Sequence, residues 1–189
     1  MQVAKQVADI LTLMRASLVV PFVWLGLAQG VRGLPAAIWL LMFSWISDAL
    51  DGPVARRSRV QHRTWVGDHD LQADMLVSVG LLIYMLASGF VNLWIGGVYA
   101  FIWALVFIRI GVLRALGMLF QAPVYGWFIF IVLRHAPAQG LLLVGWIAVL
   151  VLITWPRFPR EVVPDFLNGM KAILVQWLRY LFYVYQHRL

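Results

Sequence analysis

Long apolar stretches follow one another along most of the chain, and each has about the length that a helix needs to cross a bilayer. Mean hydropathy is +0.86. Because backbone groups in lipid must find their hydrogen bonds within a segment, stretches of this kind fold as helices. We therefore expect an all-α integral membrane protein with six transmembrane helices, and not a soluble globular domain.

Breaks in hydropathy give approximate bounds for these helices. The expected spans are 10–28, 35–57, 70–87, 93–119, 124–133 and 140–155. An amphipathic N-terminal segment leads into the first span. From residue 164 onward, apolar and polar residues fall on opposite faces of a helix, as expected for a helix that lies in the headgroup plane. The chain thus divides into a six-helix transmembrane domain, 1–160, and a C-terminal interfacial helix, 161–189.

The net charge of +7 would suggest a nucleic-acid partner in a soluble chain. Here the arginines lie between apolar spans, which is typical of positive-inside topology and of contact with anionic lipid. We expect the lipid bilayer as partner and no nucleic acid. The same distribution puts the N-terminus and residues 48–74 on the cytoplasmic side, and we expect a bacterial inner membrane. The absence of cysteine excludes disulfides and thiol chemistry.

Five of the eight carboxylates fall within residues 48–74. On a helix, Asp48 and Asp51 share a face with small residues, and Asp70 and Asp74 share a face of the next helix. Four converging carboxylates repel one another unless a cation compensates them, and oxygen ligands favour Mg²⁺ or Mn²⁺. The arginines that follow the first pair could bind phosphate. Helix caps and loop acids at a membrane surface are the plainer alternative.

The spacing of these residues resembles a family signature. Asp48-x2-Asp51-Gly52-x2-Ala55-Arg56, followed by Gly67 and then by Asp70-x3-Asp74, is similar to the motif of the CDP-alcohol phosphatidyltransferases. The first half matches at every fixed position. The second half departs, because two residues separate Gly67 from Asp70 where the family usually has three, and the loop is one residue longer overall.

The resemblance implies a reaction and a set of roles. A phosphatidyl group would move from CDP-diacylglycerol to an alcohol acceptor, CMP would be released, and the enzyme would serve phospholipid biosynthesis as a homodimer. One or two Mg²⁺ or Mn²⁺ ions would be held by Asp48, Asp51, Asp70 and Asp74. Asp74 would also take the proton of the acceptor hydroxyl. The nucleotide side would be lined by Gly52, Ala55, Arg56 and Gly67.

Three arginines are candidates for the acceptor phosphate. Asp9-x2-Thr12-x2-Arg15 is similar to a family pattern that begins with Asn, and this implies that Arg15 points into the active-site cavity. Arg109 and Arg114 lie in an apolar stretch, where a cation is a functional candidate. For Arg15 and Arg114 the alternative is a side chain that extends to the interface. The compact chain and the pair Arg109 and Arg114 favour a phosphorylated acceptor, glycerol 3-phosphate first.

A second function remains open on the sequence. The chain could be a non-catalytic membrane protein that uses its acidic cluster to bind a divalent cation or lipid. The shifted Gly67 favours this alternative, whereas the presence of all four aspartates favours the enzyme.

Overall fold

The protein is all-helical wherever this computed structural model describes it, which is over residues 3–57, 70–155, 160, 163–171, 173 and 175. Side chains are described over 9–49 and, within those residues, from 71 onward. The helices are α1 Val3–Ser17, α2 Val19–Trp24, α3 Leu34–Arg57, α4 Asp70–Ala87, α5 Leu93–Ile110, α6 Arg114–His135 and α7 Pro137–Ile153. A π-helical turn, Leu25–Gln29, and a 3₁₀ turn, Gly30–Gly33, join α2 to α3. Residues 163–171 form a further helix.

Several helices have the length and composition of membrane spans. In the described part of the chain, three segments are long and apolar enough to cross a bilayer: Asp9–Ala49, Leu93–Ile110 and Arg114–His135. Leu71–Ala87 and Pro137–Ile153 are apolar but shorter. The all-α membrane class is confirmed, while the number of six spans stays a prediction.

The first predicted span, residues 10–28, contains a break in its helix. It breaks at Leu18, between α1 and α2. Pro21 has no N–H to donate to the preceding turn, so the helix cannot continue unbroken through this point. The hydroxyl of Ser17 donates to the carbonyl of Met14 at 2.7 Å in the last turn of α1. The break lets α1 and α2 contact different neighbours.

The predicted spans 93–119 and 124–133 have the wrong boundary. The chain breaks at Gly111, whose φ of +89° is a conformation that only glycine adopts readily, and α6 then runs without interruption to His135. Arg109 and Arg114 interrupt the apolar sequence on either side of this break, but the predicted span 93–119 includes both of them. As a consequence, Arg114 begins α6 and does not lie inside the preceding span.

Five helices form a closed ring. Helix α1 packs on α3 and α4, α4 packs on α6, α6 packs on α7, and α7 packs back on α3. Helix α2 packs on α4. The core of this bundle contains the fully buried side chains of Phe22, Leu41, Leu81, Tyr84 and Phe128. Helix α5 lies at the periphery, and most of its large apolar side chains are exposed, as expected of a surface that faces lipid.

Small residues allow two close helix contacts. A Cβ on Gly80 of α4 would lie 2.9 Å from the Cα of Val19, so α2 and α4 are in backbone contact there. A Cβ on Gly169 would lie 2.8 Å from the Cβ of Ala115, which places the C-terminal helix against the first turn of α6. The predicted interfacial orientation of that helix stays a prediction, and residues 176–189 lie outside the described part.

Candidate active site

A buried arginine joins two of the predicted aspartates. The side chain of Arg15 on α1 is 0% exposed, and its Nη1 contacts Oδ1 of Asp48 on α3. The same nitrogen lies 2.7 Å from Oδ1 of Asp74 on α4. The side chains of Asp48 and Asp74 are 51% and 30% exposed. The cluster therefore has a buried cation at its base and carboxylates that remain accessible from outside.

The local sequence explains why three helices can meet at this point. Each of the three charged residues has a small hydroxyl residue one turn away on the same helix face, and these residues, Thr12, Ser44 and Ser78, are buried. The hydroxyl of Ser78 donates to the carbonyl of Met75 at 2.9 Å, and the hydroxyl of Ser47 donates to the carbonyl of Ser44 at 2.7 Å. Serines whose hydroxyls bond their own helix are satisfied without protruding. Small, satisfied faces of this kind allow the helices to approach closely.

The charges of the cluster do not cancel. One guanidinium faces two carboxylates, so Arg15, Asp48 and Asp74 together carry a formal charge of −1 when all are ionised. In a low-dielectric environment, an excess negative charge attracts a further cation more strongly than it would in water. The arrangement can thus accept additional positive charge at its exposed carboxylate oxygens.

The remaining motif residues are placed only in part. Asp51 lies within α3 and Asp70 is the first residue of α4, but their side chains are outside the described set. Gly52, Ala55 and Arg56 belong to the last turns of α3, where likewise only the backbone is described. Gly67 lies outside the described residues. Among described side chains, no group of three or more potential metal ligands occurs, and only two of the four motif aspartates are in that set.

Arg109 and Arg114 flank the break at Gly111. Both are exposed, and Arg109 occupies the last turn of α5, where a cation is favourable to the helix dipole. No hydrogen bond or ion pair connects either arginine to another described residue. The structure thus brings Arg15, but not these two, into contact with the aspartates. Their binding of an acceptor phosphate stays a prediction.

The structure adds a residue that the sequence analysis did not single out. Tyr125 of α6 is partly buried, and its ring meets the ring of Trp45 edge-on with centroids 5.6 Å apart. Asp74, Asp48 and Arg15 are the charged groups that act on it. A fourth helix of the ring therefore contributes to the site. The signal in the sequence was a phenol placed four residues after Gln121, in a part of α6 (residues 115–133) that is otherwise apolar.

Comparison with protein families identifies the family of this chain. The family model described as CDP-alcohol phosphatidyltransferase matches residues 5–185, nearly the whole chain. The chain belongs to the CDP-alcohol phosphatidyltransferase family. No curated protein and no solved structure gives a match. Membership supports a phosphatidyl-transfer reaction in phospholipid synthesis, carried out by a metal-dependent membrane transferase.

CDP-alcohol phosphatidyltransferases generally use divalent metal ions, and the described residues fit such an ion. Asp48 offers a half-exposed carboxylate, and oxygen donors of this type suit Mg²⁺ and Mn²⁺. Asp51 follows Asp48 by three residues on α3, and Asp70 precedes Asp74 by four residues on α4. Those spacings put each pair on one helix face, so the other two motif aspartates belong to the same side of their helices.

Proposed function

We propose that this protein transfers the phosphatidyl group of CDP-diacylglycerol to an alcohol and releases CMP, with glycerol 3-phosphate as the favoured acceptor. The observation that carries the proposal is the junction of Arg15, Asp48 and Asp74. Two motif aspartates from separate helices share one buried cation and keep accessible oxygens. Family membership supplies the class of reaction.

The proposed step is a single displacement at phosphorus. The oxygen of the acceptor hydroxyl forms a bond to the phosphatidyl phosphorus, and the bond from that phosphorus to the oxygen of CMP breaks. CMP leaves with the electron pair, and the proton of the hydroxyl passes to Asp74. Asp74 suits this role because its carboxylate is partly exposed and is fixed in place by an ion pair at 2.7 Å. A base that is held in position is already oriented for proton transfer, which lowers the entropic cost of reaching the reactive geometry.

The metal and nucleotide contacts complete the proposal. Asp48, Asp51, Asp70 and Asp74 would hold one or two Mg²⁺ or Mn²⁺ ions, which when bound neutralise charge on the donor pyrophosphate and improve CMP as a leaving group. Gly52, Ala55, Arg56 and Gly67 would line the nucleotide. Arg15 secures the aspartates, and Arg109 and Arg114 would attract the acceptor phosphate from the membrane surface.

The cellular setting is part of the same proposal. The site would face the cytoplasm of a bacterial inner membrane, because the basic residues between the apolar stretches favour that orientation. A homodimer would offer the exposed apolar faces of the bundle a partner within the bilayer. Both statements can be tested on the purified protein in vesicles of defined orientation.

The experiment is CMP release from CDP-diacylglycerol in mixed micelles with Mn²⁺ or Mg²⁺. The acceptors are glycerol 3-phosphate, inositol phosphate, serine and phosphatidylglycerol, with one reaction that has no acceptor and one that has chelator. The proposal expects release that needs both the metal and glycerol 3-phosphate. Release with another acceptor would correct the substrate and keep the reaction. Binding of metal or lipid without release from any acceptor would support the non-catalytic alternative.

A further inference from the structure

Tyr125 faces the acidic cluster from the opposite wall of the helix ring. Asp74, Asp48 and Arg15 are its charged neighbours. Its ring is held edge-on against Trp45, three residues before Asp48 on α3. Long helical side chains lean toward the N-terminus of their helix, and the N-terminal half of α6 packs on the first turns of α4, where Leu71 and Met75 contact Gly117. The Tyr125 hydroxyl thus extends toward the end of the bundle that contains Asp74.

The Tyr125 hydroxyl has a proton to donate. Trp45, whose ring packs edge-on against the Tyr125 ring, carries an indole N–H that can donate but cannot accept. Trp45 therefore cannot take the phenolic proton, which is left for another oxygen.

Gln121 lies one turn before Tyr125 on the same face of α6. Its side-chain nitrogen is buried, and no described group accepts a hydrogen bond from it. No other side chain between residues 115 and 133 carries an amide or a hydroxyl. A buried amide that lacks a partner is destabilising, and in an apolar span it marks a place where a ligand or water supplies the missing acceptor. Tyr125 and Gln121 are thus two hydrogen-bond donors on one face of α6, and together they form a polar stripe.

The chemistry of Tyr125 and Gln121 limits what this stripe can bind. Both side chains are uncharged hydrogen-bond donors, and no cationic side chain lies between residues 115 and 133 of α6. A phosphate anion gains most from charged donors such as arginine, whereas an uncharged oxygen with lone pairs is satisfied by neutral donors. Neutral donors beside a carboxylate base therefore fit the hydroxyl groups of an alcohol better than an anionic part of either substrate.

We propose that Tyr125 and Gln121 form the acceptor-positioning stripe of this protein, where the Tyr125 hydroxyl donates to the alcohol oxygen next to the one that reacts. The substrate class is then an alcohol with two adjacent hydroxyls, and for glycerol 3-phosphate the bound group is the central hydroxyl. Anchoring that oxygen turns the terminal hydroxyl toward Asp74. This inference rests on the proposed phosphatidyl transfer and adds the basis on which the protein selects its acceptor alcohol.

Tyr125→Phe tests the stripe because it keeps the ring against Trp45 and removes only the hydroxyl. We expect the KM for glycerol 3-phosphate to rise about tenfold, as for the loss of one hydrogen bond, with the KM for CDP-diacylglycerol unchanged. Tyr99→Phe is the matched control, since the Tyr99 hydroxyl donates to the carbonyl of Phe120 at 2.6 Å, between α5 and α6. The control should leave both KM values at those of the wild type.

A deoxy acceptor separates positioning from general damage. 3-Hydroxypropyl phosphate lacks only the central hydroxyl of glycerol 3-phosphate. The kcat/KM of the wild type should be about tenfold lower with 3-hydroxypropyl phosphate than with glycerol 3-phosphate. Tyr125→Phe should use both acceptors equally, because the hydroxyl missing from the variant and the hydroxyl missing from the deoxy acceptor are the two partners of one hydrogen bond. If Tyr125→Phe fails to fold, Gln121→Leu takes its place and should show at least a partial loss of the same discrimination.

Three outcomes overturn the inference. The first is an unchanged KM for the acceptor in Tyr125→Phe. The second is full discrimination against the deoxy acceptor in both variants, and the third is equal use of both acceptors by the wild type. Each would show that α6 does not hold the acceptor. In all three the wild type still releases CMP, so the proposed function survives. Absence of CMP release from the wild type with every acceptor would instead remove the proposed function and this inference with it.

Discussion

Nη1 of Arg15 lies 2.7 Å from Oδ1 of Asp74, and the same nitrogen contacts Asp48. One buried side chain from the N-terminal helix thus fixes the separation of two aspartates that come from different helices. The donor is fully buried, while both acceptors remain accessible. The geometry of the acidic site therefore depends on Arg15, which lies 33 positions before the first motif aspartate, Asp48.

Arg15→Met should destabilise the protein. Removing one partner of a buried ion pair costs roughly 3–5 kcal/mol, and because Asp48 and Asp74 are partly exposed we expect a smaller loss of about 2 kcal/mol. Thermal unfolding in detergent, without added metal, measures the effect. Arg15→Lys should recover part of it, since it restores the charge but not the fixed guanidinium geometry.

Arg32→Met is the control for Arg15→Met, because Arg32 is exposed in the 3₁₀ turn before α3. Its free energy of unfolding should lie within about 0.5 kcal/mol of the wild-type value. Equal midpoints for the two methionine variants would show that the buried arginine does not hold α1, α3 and α4 together.

Asp48→Asn should weaken activation by metal. Replacing one carboxylate removes a charged oxygen ligand, and the concentration of Mn²⁺ for half-maximal CMP release should rise at least about tenfold. Asp165→Asn is the control, because Asp165 is an exposed carboxylate on the C-terminal helix and is remote from the cluster in sequence. An Asp48→Asn enzyme with wild-type metal dependence would remove Asp48 from the ligand set.

Gly80→Ala should lower stability although alanine is the better helix former. Its Cβ would lie 2.9 Å from the Cα of Val19, so α2 and α4 must separate, at a cost of about 1–3 kcal/mol. Gly97→Ala is the matched control within α5, where nothing lies within 4 Å of the added atom. That change should be neutral or gain up to about 1 kcal/mol. Similar unfolding midpoints for both variants would contradict the close contact.

The sequence predicted those parts of the fold that depend on local signals. Helix α4 begins at Asp70 and ends just before Gly89, whose φ is +75°, as the turn residues indicated. The family resemblance also singled out Arg15, and the structure places its side chain against Asp48 and Asp74; its place in an active-site cavity stays a prediction. The bounds of α4 depend on a short local pattern, which tertiary packing leaves unchanged.

The rest of the fold depends on packing that one sequence does not record. The break between α5 and α6 falls at Gly111, between Arg109 and Arg114, and two arginines in an apolar stretch fit one long span as well as two shorter ones. Tyr125 and Trp45 are eighty residues apart, and only the closed ring of helices brings their rings to 5.6 Å. Contacts across a bundle depend on helix rotation and tilt, and these are set by neighbouring side chains.

The most direct test of the central claim is CMP release by Asp74→Asn with CDP-diacylglycerol, glycerol 3-phosphate and Mn²⁺. The amide keeps the size of the side chain but cannot take the proton, so kcat should fall about 10²–10⁴-fold. Binding of CDP, measured on the same preparation, should remain within a few-fold of the wild type. Turnover close to the wild-type rate in a variant that binds CDP normally would contradict Asp74 as the base.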